Sequence, residues 1–367
     1  MLWFQVIGIL IMLGLIAYLY FYLRKMMTFF QILPEGKFSI FVNLLLAVLI
    51  VLGFRLFWNL GNLAILHLMV ISFLVSIFYQ IGVVIMKPGE DSLYVLLYSS
   101  RLLPILLTAV VMSYGVRNMN HIIRTEYKLL YAKLSRDYKI AMIADTHYGT
   151  IQDGKLLEEK VSEINAQKPD LVVLAGDIVE EGTSNEEMRE VFATLGRLKS
   201  TYGTYFIFGN HDPQNYTQDP SYTVKELIQV IKANGITVLQ DQWVEIGDDL
   251  VLVGRKDAGW NKSGLRLSSK DLLALVDQKR YIIVADHQPL ETEENSRLGV
   301  DLQLSGHTHA GQIFPIGVIN TLRGDLNYGD YQIDGLTAIV TSGFTGWGYS
   351  FRTQEHCEYV MVDLVAE

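Results

Sequence analysis

The sequence predicts an α/β domain that follows an all-α transmembrane region. Residues 1–115 contain four apolar runs of about 20 residues, the length that a helix needs to cross a bilayer. Residues 138–367 instead alternate short β-branched runs with segments of helical apolar spacing. Five of the β-branched runs end at a histidine, aspartate or asparagine. These observations predict a transmembrane region at 1–116, a linker or first strand at 117–137 and a second domain at 138–367.

Charge separates the same two regions. Residues 1–136 contain 11 Lys+Arg and 4 Asp+Glu, whereas residues 137–367 contain 19 and 35. We expect no nucleic-acid partner for the acidic region, because such affinity depends on Lys and Arg that neutralise phosphates. Cys357 is the only cysteine in the sequence, which excludes an intrachain disulfide and a Cys-rich zinc site.

The apolar runs lie at residues 3–23, 38–58, 62–86 and 92–115. They predict a multi-pass protein of the cell membrane, with the lipid bilayer as a partner. The alternative is one anchor followed by buried core helices. Lys and Arg in the flanking loops are nearly balanced, so the positive-inside rule leaves open which side carries the C-terminal domain.

Arg55 and Arg101 lie inside these predicted spans. A charge within a membrane is costly unless it is paired or hydrated, so each suggests a function. A lipid phosphate near the interface is one candidate partner. The alternative is an arginine that extends to the headgroups or bonds a neighbouring helix.

The sequence of the second region predicts an α/β sheet, in which strands alternate with helices. Strands are expected at residues 138–144, 171–175, 205–208, 236–239, 250–253, 281–285, 302–304 and 359–365, and helices at 155–167, 185–198 and 224–233. Residues 122–134 fit either a first strand or a short linker helix. In such sheets, sites form at the carboxyl ends of the strands.

Metal-binding residue types occur at those strand ends. The motifs, in chain order, are Asp145-Thr146-His147, Gly176-Asp177, Gly209-Asn210-His211-Asp212, His287 and Gly306-His307-Thr308-His309. Histidine, aspartate and asparagine are ligands of divalent metals. Taken alone, Asp-Thr-His fits an ordinary turn and a single histidine is more often part of a core. Together the motifs favour a two-metal hydrolase, and the glycines before the ligands would let the backbone approach the metals.

The order of these motifs resembles the calcineurin-like metallophosphoesterase family across residues 139–357. The block GHTHAGQ, residues 306–312, further resembles a bacterial membrane-associated branch that includes a UDP-diacylglucosamine pyrophosphatase. The resemblance implies a calcineurin-like phosphoesterase sandwich, in which mixed β-sheets are flanked by helices. The first 115 residues lie outside it.

The resemblance also implies a set of site residues. The first metal would be bound by Asp145, His147 and His309, the second by Asn210, His287 and His307, and Asp177 would bridge the two. His211 would stabilise the transition state or protonate the leaving oxygen, and Asp212 would hold the His211 ring in the right tautomer.

The implied chemistry is metal-dependent hydrolysis of a phosphoester or phosphoric anhydride. Two divalent ions would clamp the attacking and leaving oxygens and generate hydroxide near neutral pH. The mixed nitrogen and oxygen ligands suit Mn²⁺, Fe²⁺ or Zn²⁺ better than Mg²⁺.

A glycine- and aromatic-rich segment, residues 343–352, precedes the last strand. We expect Arg352 to contact the substrate phosphate, with Trp347, Tyr349 and Phe351 on a lipid surface or around a pocket. The alternative is a tight turn whose aromatic residues belong to the core.

Three functions remain open at this point. The first is a membrane-bound phosphoesterase that acts on a phosphate-containing lipid. The second is an anchored phosphodiesterase of soluble nucleotides or other small phosphate-containing molecules. The third is a transport or sensing protein with a regulatory phosphoesterase domain.

Overall fold

The structure, a computed structural model, describes residues 2–57, 59–149, 154–259 and 264–367. Its internal contacts divide the chain into two units, Met1–Val116 and Arg117–Glu367. The first unit is helical, and the second is built around two β-sheets.

In the part of the chain that the structure describes, the N-terminal unit is formed by four long helices and one short helix. They are α1 (Leu2–Phe29), α2 (Lys37–Phe57), α3 (Gly61–Met86), α4 (Leu93–Ser99) and α5 (Leu102–Met119). Helices α1, α2, α3 and α5 are each long and apolar enough to cross a membrane. Leu15, Leu19 and Val51 belong to a small buried core, while Phe78 is 69% exposed. Apolar side chains that face outward in this way suit contact with lipid.

Contrary to the sequence prediction, Arg101 does not lie inside a span. The predicted fourth span began at residue 92, which placed Arg101 inside it. In the structure the backbone turns at Arg101, whose φ is 63°, and the span-length helix α5 begins only at the next residue. Arg101 therefore lies at the end of a candidate span and not within it. The side chain of Arg55 lies outside the described residues.

The described residues of the C-terminal unit form two six-stranded sheets. In spatial order the first sheet is β1 (Ile122–Tyr131), β12 (Cys357–Ala366), β2 (Tyr138–Ile143), β3 (Leu171–Ala175), β4 (Thr204–Ile207) and β5 (Ile236–Val238). The second is β10 (Gly329–Ile333), β11 (Leu336–Val340), β9 (Leu302–Ser305), β8 (Tyr281–Ala285), β7 (Leu250–Gly254) and β6 (Gln242–Ile246). The alternative of a linker helix within 122–134 is thus replaced by β1, which pairs in parallel with β12.

Helices accompany the strands. They are α6 (Gly154–Ala166), α7 (Asn185–Leu195), α8 (Val224–Ala233), α9 (Ser269–Leu273), α10 (Thr292–Arg297) and α11 (Ile316–Leu322), with a 3-10 helix at His309–Gly311. Ser184 and Thr223 cap α7 and α8 through reciprocal hydrogen bonds with the glutamate three residues on.

Two cores hold the first sheet. Along β2, Ile140 and Met142 pack in one buried cluster with Leu252 of the second sheet, whereas Ala141 packs in another with Phe192 of α7. Successive side chains of a strand point to opposite faces, so both faces of β2 are covered. This explains its continuous apolar run and confirms the predicted mixed-sheet sandwich flanked by helices.

Because they pair in parallel, the strands that precede the predicted ligands end on the same side of their sheet. β2, β3 and β4 pair in parallel in the first sheet, and β7, β8 and β9 do so in the second. The residues that follow β2, β3 and β4 therefore emerge at one edge of the first sheet, and those that follow β8 and β9 emerge together from the second.

Candidate metal centre

The loops after β2, β3, β8 and β9 place six of the seven predicted ligands in two clusters, which are buried except for the half-buried His307. Several ligands adopt a left-handed backbone, with φ of 56° at Asp145, 52° at Asp177 and 73° at His307. Non-glycine residues rarely occupy this region, and such strain concentrates at functional sites. The loops also bind each other, since the Asp145 amide donates to the carbonyl of Gly176 at 3.0 Å.

The first cluster contains Asp145, His147 and His309, whose ligand atoms all lie within 4.8 Å of one another. Nε2 of His147 is 3.3 Å from Nε2 of His309, which is 3.5 Å from Oδ1 of Asp145. Nδ1 of His147 lies 2.9 Å from a Glu180 carboxylate oxygen. That contact orients the ring so that Nε2 faces the cluster, as outer partners of metal-binding histidines do.

The second cluster contains Asp177, His287 and His307, within the same 4.8 Å limit. Nδ1 of His287 donates to the Ala175 carbonyl at 2.8 Å, which directs Nε2 toward the carboxylate of Asp177. Nε2 lies 3.0 Å from Oδ2 of Asp177. The other Asp177 oxygen accepts the backbone N–H of His211 at 2.8 Å, so both loops meet at this carboxylate.

Among the described residues, the buried Oδ1 of Asn210 has no hydrogen-bond partner. Buried polar atoms are almost always paired, and a bound cation would satisfy this oxygen. Burial lowers the pKa of His307 to about 4 and also lowers the pKa of His309, so both imidazoles offer a neutral lone pair at pH 7. Although burial alone raises the pKa of Asp177, the charge of His287 brings it below its ordinary value. The donor set therefore fits divalent cations.

The positions directly before the ligands require glycine, because a side chain there would be too close to neighbouring atoms. A Cβ on Gly176 would lie 2.7 Å from Nδ1 of His287 and 2.6 Å from the amide nitrogen of Gly209, and its φ is 88°. Gly209 has no positive φ, but a Cβ there would lie 2.6 Å from the Asp177 amide nitrogen. The expected close backbone approach is thus present at both positions.

Asp212 does not have the predicted position beside the His211 ring. Its carboxylate is fully buried and accepts the backbone N–H groups of Asp177, Ile178, Val179 and Gly209, at 2.6–3.2 Å. The physical reason is that four backbone N–H groups donate to this carboxylate and occupy its oxygens. Asp212 therefore holds the β3 and β4 loops together and does not orient His211.

Glu181 takes the place expected for Asp212. Its Oε2 lies 2.7 Å from Nδ1 of His211. Burial alone lowers the pKa of His211, but the hydrogen bond to Glu181 and the charge of Asp177 raise it above its ordinary value. Glu180, Glu181 and His211 also form a third group of closely spaced ligand atoms. Neither glutamate was predicted from the sequence, although they lie three and four positions after Asp177 in the segment GDIVEE.

Arg352 also requires a correction. Its side chain is completely buried and donates to the carbonyl oxygens of His309, Ser342 and Thr345 at 2.8–2.9 Å. These bonds saturate most of the guanidinium, so it supports the His309 loop and is not placed to contact a substrate.

The segment 343–352 nevertheless contributes to the site through Trp347. The Gln312 side chain donates to the carbonyl oxygens of Trp347, Tyr349 and Phe351 and accepts the Trp347 amide at 2.8 Å. Phe351 is buried, whereas Trp347 is 52% exposed and its ring centroid lies 5.6 Å from that of His211.

A cavity of about 540 Å³ opens beside these residues. Its lining includes Glu180, Glu181, Asn210, His211, Tyr216 and Trp347. The Glu181–His211 pair forms a polar wall of this cavity, and the exposed rings of Tyr216 and Trp347 form an apolar wall. A substrate in the cavity would contact both.

Comparisons with known proteins agree with this geometry. Residues 138–311 match the family described as calcineurin-like phosphoesterase. An uncharacterized metallophosphoesterase of Campylobacter jejuni is 29% identical over 63% of this chain and 60% of its own length. One from Helicobacter pylori is 31% identical over 60% of this chain and 58% of its own. A Bos taurus transmembrane protein with metallophosphoesterase domain is 30% identical over 62% and 53%.

The chain thus covers less than two thirds of the length of each of these relatives. Among solved structures, a dimetal phosphatase from Danio rerio is similar over 56% of this chain and 87% of that chain. Its identity is 14% and its TM-score 0.38, a likeness too distant to support a further conclusion. The family match and the strand order agree: residues 138–311 belong to a calcineurin-like phosphoesterase domain, which is preceded by apolar helices.

Proposed function

We propose that the protein is a membrane-bound, dinuclear-metal hydrolase of a phosphoester or pyrophosphate bond. The observation that carries this proposal is the grouping of six predicted ligands in two close clusters at the strand ends, with the seventh, Asn210, lining the adjacent cavity together with His211. Asp145, His147 and His309 would hold one ion; Asn210, His287 and His307 would hold the other; and Asp177, with one oxygen beside His287, would bridge them. When bound, two divalent ions, Mn²⁺, Fe²⁺ or Zn²⁺, would supply positive charge to stabilise the reacting phosphate and to favour ionisation of water.

His211 would serve as the catalytic residue. Glu181 engages Nδ1, which leaves Nε2 as the nitrogen for a substrate oxygen. Because the raised pKa of His211 keeps the ring protonated closer to neutral pH, it can donate a proton to the leaving oxygen. Glu181 acts as a positioning residue, since its contact is with His211.

We propose a lipid-linked phosphate or pyrophosphate as the substrate. The support is the apolar N-terminal unit, whose four candidate spans would make the protein multi-pass and hold it in a cell membrane. Trp347 and Tyr216 add an apolar wall to the cavity beside His211. A nucleotide-linked lipid pyrophosphate, as in the bacterial branch that the GHTHAGQ block resembles, belongs to this substrate class.

A soluble nucleotide is the second candidate. The same two aromatic side chains, which are 52% and 62% exposed, could stack on a nucleobase. The choice depends on whether the aromatic wall receives an acyl chain or a base.

A substrate screen distinguishes these candidates. The full chain, purified in detergent with Mn²⁺, is offered bis(p-nitrophenyl) phosphate, a micellar lipid pyrophosphate and a soluble nucleotide diester. We expect turnover of the aryl diester, and faster turnover of the micellar than of the soluble natural-type substrate. His211→Ala should lose activity by about 10²–10⁴-fold, the usual range for a lost acid–base group. His121→Ala is the matched control, because His121 is exposed and lines no part of the site.

Each outcome decides between the functions. Faster turnover of the nucleotide favours the second candidate. Metal binding without turnover of any substrate contradicts the hydrolase and favours a regulatory domain in a transport or sensing protein.

A further inference from the structure

The helical N-terminal unit contains a basic cavity that no step of the proposed hydrolysis uses. Its volume is about 440 Å³, and Arg24, Lys25, Thr28, Tyr98 and Arg101 are among its lining residues. A second cavity, of about 350 Å³, shares Phe21, Lys25 and Arg101 with the first. Ser72, Ser76 and Phe73 also line the second cavity. Cations, hydroxyl groups and aromatic rings therefore line adjoining spaces in one helical unit.

Arg101 is held in place but incompletely paired. Its left-handed backbone is fixed by the Tyr22 hydroxyl, which donates to the Arg101 carbonyl. Its guanidinium carbon lies 4.6 Å from the ring centroid of Tyr98, and that ring stacks on Tyr79 at 3.7 Å. Among the described residues, Nε of Arg101 is buried without a hydrogen-bond partner, and the same side chain lines the cavity. A fixed guanidinium with an unsatisfied donor can bind an acceptor that enters this cavity.

Charge at this cavity is uncompensated. Arg24, Lys25 and Arg101 all line it, and no carboxylate in the described part of the chain forms an ion pair with any of them. Residues 1–116 contain only three acidic residues, Glu35, Glu90 and Asp91. Three cations around one cavity favour an anion, and the planar guanidinium fork matches phosphate oxygens.

The location identifies the source of the anion. The candidate span in α1 ends at Phe29 and the span in α5 begins at Leu102, so Arg24, Lys25 and Arg101 lie near span ends. Lipid phosphates lie at that depth of a bilayer, and basic pockets between membrane helices suit them. We propose that this cavity binds the phosphate-bearing headgroup of an anionic membrane lipid. Phe21 and Phe73 would contact its acyl chains. The site requires no hydrolytic activity elsewhere in the protein.

Lipid binding to the full chain tests the proposal directly. Protein purified in detergent with EDTA, which removes any metal-dependent phosphate site, is titrated with mixed micelles of phosphatidylglycerol and analysed by native mass spectrometry. We expect one retained phosphatidylglycerol per chain and an affinity at least about tenfold above that for phosphatidylcholine, which has the same phosphodiester but no net charge. Arg101→Gln, and separately the double variant Arg24→Gln/Lys25→Gln, should each weaken binding by about tenfold or more. Lys37→Gln is the matched control, an exposed cation of the same unit that lines neither cavity.

The double variant keeps the test decisive if Arg101→Gln does not fold, because Arg24 and Lys25 are exposed. Equal binding of the two lipids, or full binding by the double variant, overturns the proposal. Displacement of the lipid by 10 mM inorganic phosphate also overturns it, because the site would then serve free phosphate.

Discussion

Oε2 of Glu181 lies 2.7 Å from Nδ1 of His211, at the edge of the cavity beside the two ligand clusters. Both side chains are partly buried, with 21% and 13% of their surfaces exposed. Limited contact with water strengthens such a pair, and a carboxylate on Nδ1 favours protonation of the imidazole. The His211 ring, which is proposed to protonate the leaving oxygen, is therefore positioned by Glu181, a residue four positions after Asp177 along the chain.

Glu181→Gln should lower kcat while leaving KM nearly unchanged. The raised pKa of His211 means that its charged form is complete below its ordinary pKa and is lost as pH rises through the raised value. Loss of the carboxylate removes one of the causes that raise the His211 pKa, so the basic limb of the pH–rate profile should move to lower pH and kcat should fall by roughly 10–100-fold. Glu181→Asp should recover part of the activity. Glu186→Gln, at an exposed position of α7, is the control. An unchanged basic limb in Glu181→Gln would show that Glu181 does not position His211.

Asp212→Ala should destabilise the C-terminal domain. The substitution leaves four buried amides, including those of Asp177 and Gly209, without their acceptor. Unsatisfied buried donors cost about 1–3 kcal/mol each before the loop relaxes, so we expect a net loss of roughly 2–5 kcal/mol. Thermal unfolding in detergent measures the effect, with Asp219→Ala at an exposed position as the control. Identical melting temperatures for the two variants would contradict the role given to Asp212.

Glu358 predicts an acid-dependent loss of stability. Burial alone raises the pKa of this carboxyl, but hydrogen bonds with His356, Thr125 and Thr341 bring it below the ordinary 4.5. Its stabilisation is therefore complete above that value and is lost as pH falls through the lowered pKa. Urea unfolding should show wild type more stable than Glu358→Gln by roughly 1–3 kcal/mol at pH 6, with the gap narrowing at pH 3.5. A gap that is constant with pH would contradict this account.

The ligand positions were predictable because strand ends leave a local signal. A β-branched run followed by Gly-Asp or Gly-Asn-His is visible in the sequence, and parallel pairing then brings separate runs to one edge. The partner of His211 was not predictable in this way. Asp212 is nearer in sequence, but the loop directs four amides at its carboxylate and leaves Glu181 to reach the ring.

Other features were not predicted because they, too, leave no clear signal in the local sequence. Arg352 is the type of residue that binds phosphate, and only the folded loop shows that three carbonyl groups occupy its guanidinium. Residues 92–115 form a continuous apolar run, so the left-handed turn at Arg101 leaves no clear signal. Strands β6, β10 and β11 were also missed. β6 and β10 lie at the edges of the second sheet, and their partly exposed patterns resemble those of loops.

The central claim is that two divalent ions held around Asp177 carry out phosphoester hydrolysis. Its most direct test is a titration of the chelated, metal-free full chain with Mn²⁺, with turnover of bis(p-nitrophenyl) phosphate followed at each addition. The account predicts no turnover without metal, full activity only when about two equivalents are bound, and no activity in Asp177→Ala at any metal concentration. Turnover by the metal-free protein, or activity retained by Asp177→Ala, would contradict it.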